Sequence, residues 1–165
     1  MKDGRLREKL IDYLQDAHAM EMNVEVMLIS MIASTKEPAI RSRLQEHLEE
    51  TRRQADRLHG CLKDLGQGAS LRKHGAAVIA ALPKGILDQV RSDKPGKNAR
   101  DGFVTENLEI AAYQMLERLA ERAGAKRAAR VARQNRVEEE RMRDFFDGSW
   151  DLVVDLTLKQ EGIAA

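Results

Sequence analysis

Five carboxylates and one imidazole occupy positions on or beside the apolar stripes of four helical segments. At about 100° per residue, Glu21 shares a stripe with Ala17, Val24 and Leu28. His47 shares one with Leu44, Thr51, Ala55 and Leu58, and Glu50 lies on its flank. Glu106 and Glu109 align with Ile110, Tyr113, Leu116 and Ala120. Glu139 aligns with Ala128, Val131, Ala132, Asn135, Met142 and Phe146, which leaves Glu138 at the edge and Glu140 outward. Residues three apart sit at neighbouring heights on one helix face, so His47 with Glu50 and Glu106 with Glu109 have ligand spacing. Buried acids are costly unless protonated, paired with cations or bound to metal. A single inward glutamate is ordinarily a cap or a salt bridge; acids converging from four helices call for a common partner. Carboxylate oxygens with one imidazole suit iron or manganese.

These positions require four long helices. The first runs from Leu6 to Ile32, and Ser34 to Pro38 stops it. Thr35 is the expected N-cap of the second, with Glu37 and Pro38 in its first turn. The second carries Ile40, Leu44, Leu48, Leu58, Leu62 and Leu65 and ends at Gly66-Gln67-Gly68. Residues 69–98 form a crossover with a weaker apolar pattern (Ala76, Ile79, Leu82, Ile86, Leu87, Val90), broken by Pro83 and Gly85. That pattern suggests a short helix within the connection. The third long helix starts near Ala99–Phe103 and ends at Gly124, and the fourth follows almost at once. An extension to Trp150, Val153 and Leu156 is expected to kink or split at Gly148. Two antiparallel hairpins joined by one crossover is the connectivity of ferritin-like four-helix bundles. The fold class is therefore all-α, and residues 1–165 form one domain with 69–98 as its crossover.

Composition agrees and narrows the function. Of 165 residues, 33% are charged and 4% aromatic, and the net charge is +1. Nothing in that balance favours nucleic acid or an anionic membrane. No apolar run reaches the ~18 residues of a membrane span. The N-terminus leads into a charged amphipathic segment and lacks the apolar core of a signal peptide. The single Cys61 permits no internal disulfide and suits a reducing compartment, so the cytoplasm is the expected location.

Asp16-Ala17-His18-Ala19-Met20-Glu21, and then Glu46-His47-Leu48-Glu49-Glu50-Thr51 with Gln54 and Arg57-Leu58, resemble the YciE/YciF-type ferritin-like bacterial family. Thr105-Glu106-Asn107-Leu108-Glu109-Ile110-Ala111 before Tyr113, and the Glu138-Glu139 pair, continue the likeness over nearly the whole chain. The resemblance implies a ferritin-like fold, frequent dimerisation, a stress-response role and a di-metal site akin to that of rubrerythrin-type proteins. The ligands it implies are Glu21, His47, Glu50, Glu106, Glu109 and Glu139. The chain departs from the family pattern at two places. Asn107 stands for a histidine between the helix-three glutamates, and Arg143 stands for an inward aspartate on helix four unless Asp144 substitutes by a one-residue shift. A guanidinium there could neutralise the glutamates without metal through a bidentate pair.

The remaining polar residues have plainer roles. Tyr113, one turn past Glu109, is a core residue able to hydrogen-bond a ligand or to act as a redox-active phenol. Cys61 lacks a base partner, and His18, His59 and His74 lack ligand spacing. Met20, Met22, Met27 and Met31 suit core or dimer contact. Arg52, Arg53, Arg57 and the cations from Lys126 to Arg136 are interleaved with acids, which argues against phosphate binding. Three functions are consistent with this sequence. One is a di-iron or di-manganese oxidoreductase acting on peroxide or dioxygen, with an external electron donor because no Cys₄ module is present. The second is a metal-free dimeric bundle held by Arg143 that acts through partners. Iron storage is the third and weakest.

Overall fold

The structure, a computed structural model, describes residues 4–67 and 94–163. All regular structure among these residues is helical: α1 (Gly4–Ser34), α2 (Pro38–Asp64), α3 (Lys94–Arg122), α4 (Lys126–Asp147) and α5 (Trp150–Gln160). The short helix expected in the crossover, and His74, lie outside the described residues. α1 packs on α2 and α3 on α4 as two hairpins, and α1 against α3 with α2 against α4 closes the bundle. α5 lies against α3. No described helix is long and apolar enough to cross a membrane.

The helix ends follow local chemistry. Gly66 and Gly124 adopt φ of 77° and 70°, the left-handed region glycine enters without a Cβ penalty. Around each, paired backbone bonds close the last turn: Gly66 N–H to Lys63 O and Gln67 N–H to Leu62 O after α2, Gly124 N–H to Glu121 O and Ala125 N–H to Ala120 O after α3. The α1–α2 turn differs from expectation. Glu37, not Thr35, is the N-cap residue of α2, and it makes no side-chain cap bond. Thr35 Oγ1 instead donates to Met31 O at 2.7 Å, satisfying a terminal carbonyl of α1. α3 is already helical at Lys94, the first described residue after Gln67, and so reaches further toward the N-terminus than Ala99. The split at Gly148 occurs as expected. Ser149 Oγ donates to Phe145 O at 2.6 Å, and Trp150 opens α5 with its indole edge-on to Phe103 at 5.6 Å.

The core divides into two apolar blocks. Leu10, Leu14, Leu58, Leu62, Leu116 and Ala132 belong to one; Val24, Leu28, Leu44, Met142 and Phe146 belong to the other. On every long helix the polar residues fall between the blocks, so Glu21, His47, Glu106, Glu109 and Glu139 meet at mid-height. Gly102 sets how closely α3 and α4 approach, because a Cβ there would meet the buried Phe146 ring, with Cε2 at 2.7 Å. Overpacking costs about 1–3 kcal/mol, and alanine's better helix propensity recovers about 1. Gly102→Ala is therefore expected to lower the urea midpoint modestly, whereas Gly4→Ala, with open space around it, is expected not to lower it.

Candidate metal centre

His47 on α2, Glu106 and Glu109 on α3, and Glu139 on α4 each offer one ligand atom, and all four atoms lie within 4.8 Å of one another. All four residues are fully buried. His47 Nε2 is 3.3 Å from Glu106 Oε2 and 3.4 Å from Glu139 Oε2. These distances allow charge attraction, but the groups are not aligned as hydrogen bonds. His47 Nε2, both oxygens of Glu106, both of Glu109, and Oε2 of Glu139 have no hydrogen-bond partner among the described residues. Buried polar atoms in folded proteins are nearly always paired. Six orphan atoms converging on one spot match the donor set of a divalent ion, with hard oxygens and one imidazole nitrogen.

Glu21 and Glu50 flank this group. Glu21 is buried; its Oε1 accepts a hydrogen bond from the Tyr113 hydroxyl, and its Oε2 has no partner. Glu50 is not one of the four but lies against His47. Its Oε2 is 3.1 Å from His47 Nδ1 and accepts from both terminal nitrogens of Arg43 at 3.2 Å. Its side chain keeps 16% of its exposure, whereas His47, Glu106 and Glu139 keep none.

A hydrogen-bonded chain backs the centre. Asn135 Nδ2 donates to Tyr113 Oη at 2.9 Å, and Arg57 Nε donates to Asn135 Oδ1 at 2.9 Å. Arg57 also binds Glu138, and Gln54 Nε2 donates to Glu138 at 3.0 Å and to Glu139 Oε1. The periodicity that placed His47 inward also places Gln54, seven residues on. The bridging roles of Gln54 and Arg57 depend on which helix lies opposite, and the sequence does not state that.

Electrostatics follows from burial. Desolvation, offset in part by the Tyr113 hydrogen bond, pushes the Glu21 carboxyl from an ordinary 4.5 to about 8. Burial and then neighbouring carboxylates hold Glu109 and Glu139 well above the usual range. Burial disfavours the His47 cation, but Glu106 and Glu50 outweigh it and carry the imidazole up to about 9. Burial also raises Glu50, but His47 and Arg43 more than reverse this and hold it at about 2.

Arg143, the alternative partner for the glutamates, lies outside the cluster. Its guanidinium binds Asp144 at 2.6 Å and the side chain is 32% exposed. A solvated neighbour spares it the desolvation that an inward guanidinium would incur. Among the described residues the buried acids thus gain no arginine from α4, and Arg57 stops at Asn135 and Glu138. Asn107 is exposed and donates to Phe103 O at 2.7 Å, so the family histidine's position does not face the centre. Cys61 is buried, and burial pushes its thiol pKa up. That removes the thiolate a nucleophile needs. His18 and His59 are half-buried with ring centroids 6.0 Å apart. Surface cations pair with acids, as in Arg127–Asp64 and Arg133–Glu117.

Solved structures share this architecture. A Xanthomonas campestris protein of known structure is 28% identical, with a TM-score of 0.76 over 97% of this chain and 100% of that one. The Escherichia coli stress protein YciF is 20% identical, with a TM-score of 0.70 over 94% of this chain and 97% of its own. YcfI from Rhodopseudomonas palustris is 24% identical, with a TM-score of 0.66 over 86% and 92%. The model of a domain of unknown function, DUF892, matches residues 5–157. A helical bundle of the YciF type, with that match spanning most of the sequence, places the chain in the DUF892 family.

Proposed function

We propose that this chain is a metal-dependent stress protein whose buried centre binds iron or manganese and handles peroxide or dioxygen. The observation that carries the proposal is the set of unpartnered atoms on His47, Glu106, Glu109 and Glu139. Bound there, such an ion would supply a redox-active Lewis acid able to bind and polarise an oxidant. The resemblance implies two ions, with Glu21 and Glu50 completing the ligand set. The chain's own residues do the rest. The two apolar blocks exclude bulk water, and Gln54 fixes Glu139. Tyr113 holds one oxygen of Glu21 and has its own oxygen fixed by Asn135. Electrons would come from an external donor.

Purified after growth with added iron or manganese, the protein is expected to carry at least one ion per chain. His47→Ala is expected to lose it together with peroxide consumption. Wild-type protein with no metal under both conditions would instead support a metal-free bundle acting through partners. Arg143→Asp then separates a degenerate site, which would gain metal, from a site never built for it.

The partner proposed for the bundle is a second copy of the chain. Met22, Val26 and Ile29 on α1 and Val104, Leu108 and Met115 on α3 are 37–59% exposed, and exposed apolar clusters mark association sites. Light scattering is expected to give twice the chain mass for wild type and the monomer mass for Val26→Lys with Leu108→Glu. A monomeric wild type removes this part of the proposal.

A further inference from the structure

We propose that Glu50 orients His47 instead of binding an ion, so that the centre takes one divalent ion tightly and a second only weakly. This deepens the metal proposal above and rests on it. The imidazole carries its two nitrogens on different edges of one rigid ring. Nε2 faces Glu106 and Glu139 at 3.3 and 3.4 Å. Nδ1 faces Glu50 at 3.1 Å. A carboxylate at Nδ1 lies across the ring from an ion at Nε2, which is where outer carboxylates sit when they fix a metal-binding histidine. Arg43 pins Glu50 there, with both terminal nitrogens on the same Oε2 at 3.2 Å. Arg141 approaches the other oxygen at 4.0 Å.

The atoms left for ions are then unequal. His47, Glu106, Glu109 and Glu139 offer four ligand atoms close enough together to hold one ion. A second ion would have Glu21 as its own carboxylate, with Oε1 already taken by Tyr113. It would have no nitrogen ligand and would share Glu106, Glu109 or Glu139 with the first. Glu50 could offer it only Oε1, the oxygen toward Arg141, while His47 and Arg43 hold Oε2. Sequence spacing alone makes His47 and Glu50 look like a ligand pair, because residues three apart share a face. The structure distinguishes two carboxylates on one face by the ring edge each meets.

Manganese(II) titrated into metal-free protein and followed by electron paramagnetic resonance tests this. Wild type is expected to bind one equivalent with the hyperfine pattern of an isolated ion, and a second at least about tenfold more weakly. Glu50→Gln is expected to weaken the first ion by about 10–100-fold, the usual effect of losing an outer partner, with an unchanged coordination number by X-ray absorption. Arg43→Gln, at a partly exposed position that leaves the buried cluster intact, should shift the first ion in the same direction by less. Two equivalents of similar affinity with spin-coupled spectra would overturn the proposal. So would a Glu50→Gln variant that keeps the first ion and loses only the second. Wild type binding no manganese or iron would overturn the metal proposal itself, an outcome distinct from either of these.

Discussion

Glu109→Leu is expected to stabilise the metal-free protein and abolish its metal binding. Most substitutions at a fully buried position destabilise, so the sign is the diagnostic feature. Both Glu109 oxygens lack a partner among the described residues, and burial, then Glu21 and Glu106, hold its proton well above the carboxylate range. Folding without metal therefore strips hydration from the carboxyl group and returns no hydrogen bond. Leucine of similar size removes that cost and extends the apolar block that on α3 begins at Tyr113. Replacing buried ionisable clusters by well-packed apolar residues gains about 1–4 kcal/mol in favourable cases, enough to move a urea midpoint clearly. Glu139→Leu is expected to gain less, because it strands one bond of Gln54. A Glu109→Leu protein that unfolds earlier than wild type would mean that the carboxyl is satisfied in the metal-free state, and the case for an ion would weaken. Sites that trade stability for chemistry show this pattern.

The residues differ in how far the sequence revealed them, and the reason is physical. Inward positions such as Glu21, His47, Glu106, Glu109 and Glu139 were legible because burial follows a 3.6-residue period along each helix. The ends of α2 and α3 were legible at Gly66 and Gly124 because positive φ strongly favours glycine. Contacts between helices were not. Periodicity assigns a face, not a neighbour, so it could not say that Gln54 and Arg57 of α2 would meet Glu138 of α4. Nor does it fix the last rotamers of a long side chain. Arg143 lies one turn after Glu139, yet its guanidinium swings to Asp144 and water. Glu50 is the finest case. Its position on the flank of the stripe was readable, but the choice between facing an ion and facing Nδ1 of His47 depends on side-chain torsions. α3 reaches further toward the N-terminus than the sequence suggests because Pro95 and Gly96 read as a turn, yet both lie within the helix.

The pH dependence of stability is expected to reverse when the centre fills. In the metal-free protein, the folded Glu21 carboxyl keeps its proton up to about 8, whereas the unfolded chain releases it near the ordinary 4.5. The folded state therefore binds more protons between these values, and stability falls as pH rises. Glu109 and Glu139 act with the same sign. His47, raised from 6.5 to about 9, adds stability that is complete below 6.5 and lost as pH climbs through 9. Only Glu50 opposes these; its depression to about 2 contributes above 4.5 and fades as pH falls through 2. The metal-free protein should thus be most stable in mild acid and decline steadily to about pH 9, outside the usual optimum of about pH 5–8. At about 1.4 kcal/mol per pKa unit, Glu21 alone makes this decline of the order of a few kcal/mol. An ion demands deprotonated carboxylates and a neutral imidazole, so its binding releases protons and tightens as pH rises. Its contribution to stability rises with its affinity. Thermal melts of the loaded protein should therefore move upward over the range in which those of the metal-free protein move downward. Parallel curves would mean that the protons leaving His47 and the glutamates do not make way for a cation.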